Sequence, residues 1–370
     1  ALGLATPTSI LVGTGKGAEA GILFRDAAAL ERLGGVRTVV LDKTGTLTEG
    51  RPRITDVVLA AGAPSESEVL ALAAAAERGS EHPLGEAIVR AAIEDRGLAI
   101  APATRFEAEA GSGVSAVVGS TEVRVGRAGF VDPAGAASPL ALAAERLAAD
   151  GRTVVFVGLD GRLVAVLGIA DTLKPGSVAA VRDLRGLGLD VVMLTGDDRR
   201  TAEAIARAAG IERVMADVRP DGKAAAIKAI QGEGHGVAMA GDGINDAPAL
   251  AAADVGVAMG TGTDIAIESG GVTLLSGDLR GLVSAIRLSR ATMRNIRQNL
   301  FWAFAYNVVL IPVAMGALFP FTGILLDPVL AAAAMALSSV TVVSNALRLR
   351  GFDAAPSRPG ATPAARLATS

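Results

Sequence analysis

The strongest constraint on the fold is a series of short β-branched runs separated by alanine-rich stretches of helical character. This alternation predicts a parallel sheet covered by helices. The predicted strands are residues 37–41, 190–194, 236–240 and 255–258. Three of these four runs end in an Asp-containing, glycine-rich loop. Because α/β sheets place their sites at the carboxyl ends of parallel strands, the sequence predicts a functional edge on this sheet.

The first two predicted strands are about 150 residues apart, far more than an ordinary crossover needs. A separate α+β unit is therefore predicted at residues 51–167, which divides the sheet unit into residues 24–50 and 168–285. Its predicted helices are 66–78, 84–96 and 141–149, and its predicted strands are 113–118, 122–125, 153–158 and 163–167.

Two later segments, residues 300–319 and 324–347, each contain about 20 mostly apolar residues, the length that a helix needs to cross a bilayer. Arginines precede the first and follow the second, so both outer ends are predicted to be cytoplasmic. A buried soluble hairpin is the alternative. We assign residues 286–349 to a stalk and two transmembrane helices, and residues 350–370 to a disordered tail.

Charge and cysteine content exclude several kinds of function. A net charge of -3 offers no basic face, so no nucleic-acid partner is expected. The chain has 0 cysteines, which excludes disulfides, thiolate metal sites and cysteine nucleophiles within these residues. A soft-metal site in this chain would have to use methionine sulfur.

The first predicted strand is followed by Asp42-Lys43-Thr44-Gly45-Thr46. A carboxylate held at a strand end, with backbone amides and a bound Mg²⁺ offsetting phosphate charge, can attack the γ-phosphoryl group of ATP. An N-capping Asp followed by an ordinary turn is the alternative. The pentapeptide resembles that of the P-type ATPases, and the sheet resembles the haloacid-dehalogenase-like fold.

The resemblance implies an aspartyl-phosphate intermediate on Asp42. Phosphatases of that fold usually carry a second Asp, a general acid and base, at the position of Thr44. Because a hydroxyl is far too weak an acid for that role, the intermediate is expected to persist. The sheet unit would then be the phosphorylation domain of a pump, and Asp171-Thr172-Leu173-Lys174-Pro175 matches the hinge at which the chain re-enters it.

The same resemblance assigns roles to residues that follow the later strands. In Thr195-Gly196-Asp197, the Thr195 hydroxyl would donate to the phosphoryl oxygens. Lys223 would neutralise charge developing on the phosphoryl group. The implied Mg²⁺ ligands are Asp42, Thr44 and Asp242, and the residues implied to support them by hydrogen bonding are Asn245 and Asp246.

In the inserted unit, His82 opens a predicted helix within Ser80-Glu81-His82-Pro83-Leu84. A lone histidine there is more often a capping or surface residue. The segment resembles the nucleotide-binding domain of heavy-metal P-type ATPases, in which the His-Pro pair contacts nucleotide. The nucleotide contacts implied by this resemblance are Glu77, His82, Gly111, Gly113 and Gly126. Arg127 stands where copper pumps commonly have Asn.

Residues 13–17, Gly-Thr-Gly-Lys-Gly, suggest a phosphate-binding loop. They lack the upstream glycine of such a loop, and Gly17 stands where Ser or Thr must contact Mg²⁺. We predict instead that they form a flexible connector after a helix.

The predicted membrane segments carry few polar side chains, and polar groups are costly enough in a bilayer to be functional by default. Neither has an Asp, Glu or Lys at its centre, whereas Met335 offers a thioether, which selects soft Cu(I) or Ag(I). Lipid-facing methionine and helix-packing serine are the alternative. Copper-transporting P-type ATPases show Tyr-Asn and Met-x-x-Ser-Ser in these spans. The copper ligands implied by this resemblance are Tyr306, Asn307, Met335 and Ser339.

The resemblance covers residues 1 to about 349 and implies ATP-driven export of copper(I) by a multi-pass plasma (inner) membrane protein with cytoplasmic catalytic domains. Residues 1–23 resemble the end of the ion-site membrane helix and its stalk, so a Cys-Pro-Cys motif, an actuator domain and further membrane helices are expected upstream. The implied cofactors and partners are Mg²⁺, ATP, copper(I) or silver(I), membrane lipid and a copper chaperone. The alternatives are a soluble haloacid-dehalogenase-like phosphatase, a pump for Ag(I) or another heavy metal, and a non-catalytic metal-binding or scaffold fragment.

Overall fold

The computed structural model describes residues 2–80, 82–109, 111–132, 139–242, 246–260, 268–317, 319–322 and 327–353. The strands are β1 (Ile22–Phe24), β2 (Thr38–Asp42), β3 (Thr48–Leu59), β4 (Ala103–Glu109), β5 (Gly113–Val118), β6 (Thr121–Gly126), β7 (Thr153–Leu159), β8 (Arg162–Leu173), β9 (Asp190–Leu194), β10 (Arg213–Met215), β11 (Val237–Gly241), β12 (Val255–Met259) and β13 (Val272–Leu274). The helices are α1 (Leu2–Glu19), α2 (Ala27–Gly35), α3 (Glu66–Glu77), α4 (Pro83–Arg90), α5 (Ala128–Val131), α6 (Pro139–Ala149), α7 (Ser177–Gly186), α8 (Arg199–Ala209), α9 (Lys223–Gln231), α10 (Ala247–Ala252), α11 (Arg280–Ala314), α12 (Phe319–Thr322) and α13 (Pro328–Leu347).

The chain forms two compact units. The first contains residues 1–42, 175–194 and 218–370, and the second contains residues 43–174 and 195–217. The second unit is larger than the predicted insert at 51–167, since it also contains residues 43–50, 168–174 and 195–217. Strands β3 and β8 continue beyond residues 51 and 167 as one antiparallel ribbon, which pairs Thr48 with Leu173.

The sheet of the first unit has its strands in the order β1-β13-β12-β11-β2-β9. All of these pairings are parallel except that of β1 with β13. Every residue of β2, β11 and β12 is buried, as expected for strands covered by helices on both faces. The four predicted strands are confirmed, with bounds that differ by at most one residue.

The second unit is built on an antiparallel sheet in the order β3-β8-β7-β6-β5-β4. Its core joins apolar side chains of α3 and α4 to one face of this sheet, including Leu70, Ile88 and Leu167. The predicted helix at 84–96 is shorter than expected, since α4 ends at Arg90 and Ala91–Asp95 forms a π-helical turn. The predicted α+β character of this unit is confirmed.

The first predicted membrane segment, residues 300–319, is not one continuous helix. Helix α11 ends at Ala314, where Gly316 adopts a φ of 89°. The Gly316 N–H donates to Val313 O, and the Ala317 N–H donates to Pro312 O. These two bonds form the Schellman arrangement that terminates helices at a left-handed glycine.

Within the described residues, one helical stretch is long and apolar enough to span a membrane, namely Ala332–Gly351 with a mean hydropathy of 1.3. The predicted count of two membrane helices is therefore not confirmed. Residues 324–326 of the second predicted segment and residues 354–370 of the predicted tail lie outside the described residues.

The prediction of a flexible connector at residues 13–17 is wrong, because these residues belong to α1. Helix α1 packs against α11, and its buried residues are small: Ala5, Ser9, Gly13 and Gly17. A Cβ atom at Gly13 would lie only 2.5 Å from Thr292 Oγ1 of α11, and one at Gly17 would lie 3.0 Å from Ile22 O. Gly13 therefore allows close packing of the two helices, which an interpretation based on glycine content alone did not predict.

Candidate functional site

In the first unit, Lys223 lies between two carboxylates. Its Nζ donates to Asp42 Oδ1 and to Asp246 Oδ1, both at 2.6 Å. Asp42 is the last residue of β2, Lys223 is the first of α9, and Asp246 precedes α10. All three are buried, with Asp42 only 3% exposed. The structure brings these three predicted site residues together, and their roles in catalysis stay a prediction.

The burial of these charges changes their proton affinities. Burial, reinforced by the charge of Asp246, raises the pKa of Asp42 to about 7, although Lys223 opposes the shift. Burial alone would lower the pKa of Lys223, but the charges and hydrogen bonds of Asp42 and Asp246 outweigh it, and the net shift is upward. Lys223 therefore carries a proton when it faces Asp42, and its positive charge favours the ionised form of that buried carboxylate.

Asp42, Asp242 and Asp246 form a carboxylate cluster whose ligand atoms lie within 4.8 Å of one another. Carboxylate oxygens are hard ligands of the kind that Mg²⁺ prefers, so the donor set fits this ion. Asp246 was predicted only as a supporting residue, whereas the geometry makes it a candidate ligand. A Cβ atom at Gly241 would lie 2.7 Å from Asp246 Oδ2, so this glycine makes room for the third carboxylate. Asn245 lies outside the described residues.

In the second unit, hydrogen bonds connect Lys43 with residues of the 195–197 motif. Lys43 Nζ donates to Asp197 Oδ2 at 2.9 Å, and the Asp197 N–H donates to Thr195 Oγ1 at 3.1 Å. Thr195 is buried, and accepting this bond orients its hydroxyl. Gly196 lies between Thr195 and Asp197 in the chain. The side chain of Thr44 is exposed. The structure thus links Lys43 to the 195–197 motif, and the proposed Mg²⁺-binding role of Thr44 stays a prediction.

The turn Lys43–Leu47 is held by a residue of the predicted hinge. Asp171 Oδ2 accepts from Thr48 Oγ1 at 2.5 Å, and Asp171 Oδ1 accepts from the Gly50 N–H at 2.9 Å. Lys174 Nζ also donates to Gly45 O. Thr48 was not singled out by sequence reasoning, although its position directly after the Asp42 motif was visible in the sequence. The hinge residues therefore also support the turn that follows Asp42.

A cavity of about 440 Å³ lies in the second unit. Its lining includes all five residues predicted to contact nucleotide: Glu77, His82, Gly111, Gly113 and Gly126. Arg127 also lines it, and its side chain is exposed. The structure thus places these residues around one cavity, and their role in nucleotide binding stays a prediction.

Two of these glycines are paired across β5 and β6. A Cβ atom at Gly126 would lie 2.3 Å from Ser112 O, and one at Gly113 would lie 2.3 Å from Val125 O. Both neighbours are backbone atoms that cannot move aside without separating the strands. Glycine is therefore required at both positions by close approach.

His82 and Glu77 are two of the ionisable residues that line the cavity. The Leu84 N–H donates to His82 Nδ1 at 3.2 Å, so His82 is the N-cap of α4. This leaves Nε2 as the nitrogen with which His82 could contact a ligand. Burial raises the pKa of Glu77 to about 7, with a hydrogen bond involving Ser80 opposing the shift. A Cβ atom at Gly85 would lie 2.5 Å from Glu77 Oε2, which explains the glycine there.

The predicted copper ligands lie on α11 and α13. Tyr306 and Asn307 are half-buried on α11, whereas Met335 on α13 is 50% exposed. Asn307 Nδ2 donates to Ala303 O at 2.7 Å, and Ser339 Oγ to Met335 O at 3.4 Å. Among the described residues, no hydrogen bond joins the α11 pair to the α13 pair. Their role in ion binding stays a prediction.

Comparison with known proteins identifies similar chains for most of this sequence. Residues 36–254 match the family model of haloacid dehalogenase-like hydrolases. Over 95% of its length the chain is 58% identical to a probable copper-transporting ATPase, PacS, of Synechococcus elongatus, of which it covers 47%. It is 54% identical to a silver exporting P-type ATPase of Salmonella typhimurium, of which it covers 42%. The chain thus spans about half the length of the curated relatives it matches.

Solved structures are similar as well. A crystal structure of a zinc-transporting PIB-type ATPase in the E2.Pi state matches 94% of this chain with a TM-score of 0.85 and 41% identity, and 55% of that protein is covered. The catalytic domain of the CPx-ATPase CopB-B matches 74% of this chain with a TM-score of 0.56 and 28% identity, and 98% of that domain is covered. The fold is therefore shared by relatives named for different ions.

Proposed function

The chain belongs to the haloacid dehalogenase-like hydrolases and, within them, to the heavy-metal P-type ATPases, and on that premise we propose that it is the catalytic half of a pump that exports copper(I) at the expense of ATP. The observation that carries this proposal is the buried Asp42 at a strand end, with Lys223 Nζ 2.6 Å from its carboxylate. A buried carboxylate that is paired with a cation and adjoins two further carboxylates suits phosphoryl transfer to a side chain.

In the proposed reaction, an oxygen of Asp42 attacks the γ-phosphorus of ATP. A bond forms between this oxygen and phosphorus, and the bond to the β,γ-bridging oxygen breaks, so that ADP leaves with the electron pair. Lys223 stabilises negative charge on the reacting carboxylate and on the phosphoryl oxygens. Asp42, Asp242 and Asp246 would hold Mg²⁺, which supplies positive charge that offsets that of the phosphates when it is bound.

The second unit contributes recognition in this proposal. ATP would bind in the cavity lined by Glu77, His82 and the paired glycines, with His82 Nε2 as a contact. The absence of a second Asp at the position of Thr44 favours a phosphoenzyme that persists, as a pump requires.

Copper(I) is the proposed ion because similarity to relatives named for copper and silver agrees with the thioether of Met335. Silver(I) has the same coordination preference and is the second candidate. The proposal includes a location in the plasma (inner) membrane with the catalytic units in the cytoplasm, lipid around the exposed apolar side chains of α11 and α13, and a copper chaperone as a donor.

The test uses the full-length pump that contains this chain. Cu(I) should stimulate ATP hydrolysis and formation of an acid-stable phosphoenzyme, whereas Zn²⁺ should not. Met335→Leu removes the thioether at similar volume, so it should reduce Cu(I)-dependent turnover while folding free energy changes by less than about 1.5 kcal/mol. Wild-type activation of that variant would mean that Met335 faces lipid. Hydrolysis of p-nitrophenyl phosphate without any use of ATP would instead identify a phosphatase.

A further inference from the structure

Helices α1, α11 and α13 are joined by a buried network of four polar side chains. Ser9 of α1 is 0% exposed, and Asn299 and Asn295 of α11 are 1% and 6% exposed. Asn345 of α13 is half-buried. In apolar surroundings an unpaired amide costs free energy, so the helices are expected to keep the arrangement in which these polar groups are paired.

The hydrogen bonds form a ring across the three helices. Ser9 Oγ lies 2.9 Å from two acceptors, Asn295 Oδ1 and Ala5 O of its own helix, so these two oxygens share its single proton. Asn299 Nδ2 donates to Ser9 Oγ at 3.0 Å. Asn345 Nδ2 donates to Asn299 Oδ1 at 2.8 Å, and Asn295 Nδ2 donates to the backbone oxygen of Asn345 at 2.8 Å. Each helix is thus hydrogen-bonded to another through short side chains with little freedom to stretch.

The close approach of α1 and α11 is built into the sequence of α1. Gly13 lies one turn beyond Ser9 on the same buried face, and a Cβ atom there would lie 2.5 Å from Thr292 Oγ1. Because Gly13 has no side chain, the two helix backbones can approach closely, and the short hydroxyl of Ser9 reaches Asn295 directly. A slip of one residue along either helix, about 1.5 Å, would break these bonds and leave buried amides unpaired.

The network lies within about two helical turns of residues proposed to bind the ion. Asn299 precedes Tyr306 by seven positions, and Asn345 follows Ser339 by six. Seven residues are about two helical turns, or about 10 Å, and place Asn299 and Tyr306 on the same face of α11. A helix that shifts along its axis at the network would therefore also shift the residues proposed to bind the ion.

We propose that Ser9, Asn295, Asn299 and Asn345 are positioning residues that fix the axial register of α1, α11 and α13 and thereby set the spacing of the ion ligands. The inference rests on the proposed function. A buried asparagine specifies register in paired helices in the same way, at some cost in stability. Interhelical hydrogen bonds in membranes contribute little stability on average, so the expected consequence of losing one is an altered ion site rather than an unfolded protein.

The test compares Ser9→Ala and Asn299→Ala with Ser344→Ala in the full-length pump. Ser344 is next to Asn345 on α13 but has an exposed side chain, which makes it the matched control. We expect Ser9→Ala to raise the Cu(I) concentration for half-maximal phosphoenzyme formation by about fivefold and Asn299→Ala by about tenfold or more, as the loss of one and of several hydrogen bonds implies. The maximal phosphoenzyme level and the affinity for a nucleotide analogue should stay within twofold of wild type.

The result that overturns the inference is an unchanged half-maximal Cu(I) concentration in Ser9→Ala. Because that variant removes a single oxygen atom, it decides the question if Asn299→Ala does not fold. A parallel fall in nucleotide affinity and maximal phosphoenzyme level would also overturn it, since this would indicate a general loss of structure. If neither Cu(I) nor Ag(I) stimulates the wild-type pump, the proposed function itself is overturned. The measurement on the wild-type pump thus distinguishes failure of the proposed function from failure of the inference about the network.

Discussion

The carboxylate cluster of the first unit and the cavity of the second unit differ in the features that define them. In the cluster, three carboxylates and Lys223 are concentrated in a small volume, where Asp42, Asp246 and Lys223 are buried and Asp242 is partly exposed. The cavity is defined by the shape of its backbone. Gly113 and Gly126 lie so close to backbone atoms across the strand pair that no side chain fits at either position.

This difference predicts that the two sites respond to different kinds of substitution. The cluster should fail when one functional atom is replaced without a change of shape, because its chemistry depends on charge and nucleophilicity. The cavity should fail when a single methyl group is added without a change of charge, because its recognition depends on shape. Four substitutions test this contrast.

The largest effect is expected for Asp42→Asn. The amide has nearly the same shape but lacks the nucleophilic oxygen, so acid-stable phosphoenzyme should fall by at least about 10⁴-fold. Nucleotide affinity, measured by calorimetry with a non-hydrolysable analogue, should be almost unchanged. Labelling of the variant by γ-labelled ATP would refute the assignment of Asp42.

Gly126→Ala should have the opposite effect, a loss of nucleotide affinity with phosphoenzyme formation retained. The added Cβ would lie 2.3 Å from Ser112 O, so β5 and β6 must separate, and nucleotide affinity should fall by at least about 100-fold through overpacking. Phosphoenzyme formation from a small donor such as acetyl phosphate should persist. The matched control is Gly129→Ala in α5, where a Cβ atom has no neighbour within 4 Å. Equal nucleotide affinity in both variants would show that the cavity does not depend on this close approach.

His82→Gln should weaken ATP binding by about 1–3 kcal/mol, the cost of losing a polar partner. Because His82 also caps α4 through Nδ1, His82→Asn provides a control that keeps an N-cap acceptor but removes the imidazole. Both variants should bind ATP equally weakly in calorimetry. Wild-type affinity in His82→Asn alone would assign His82 to the helix cap rather than to nucleotide.

The smallest effect is expected for Glu77→Gln in the nucleotide-free protein. Burial raises the pKa of Glu77 from 4.5 to about 7, so the folded state favours the protonated acid. The associated stability is complete below about pH 4.5 and is lost as the pH rises through 7. Glu77→Gln should therefore be neutral at pH 4.5 and stabilising at pH 8 by about 1 kcal/mol, since the open cavity partly solvates the charge. Denaturant unfolding at both pH values measures the difference, and equal differences at both would contradict the shifted pKa.

The pattern of apolar runs was sufficient to locate the strands of the first sheet, because β2, β9, β11 and β12 are short and bounded by polar loops. Helix ends were less predictable. The end of α11 at Ala314 depends on a Schellman turn at Gly316, which is a single residue within an otherwise apolar stretch. A window of hydropathy averages over such a residue and so extended the helix too far.

By itself, the sequence determined most candidate residues of the site through motifs that resemble those of the P-type ATPases, such as the Asp42 motif, Lys223 and the later Asp-rich loop, but it did not indicate Thr48 or the position of Asp246 as a candidate ligand. Only the tertiary structure showed that Lys223 Nζ lies 2.6 Å from both Asp42 and Asp246 and that Ser9 meets Asn295 across 286 positions of the chain. The physical reason is that secondary structure follows from local spacing, whereas pairing between distant side chains depends on packing that brings their backbones together.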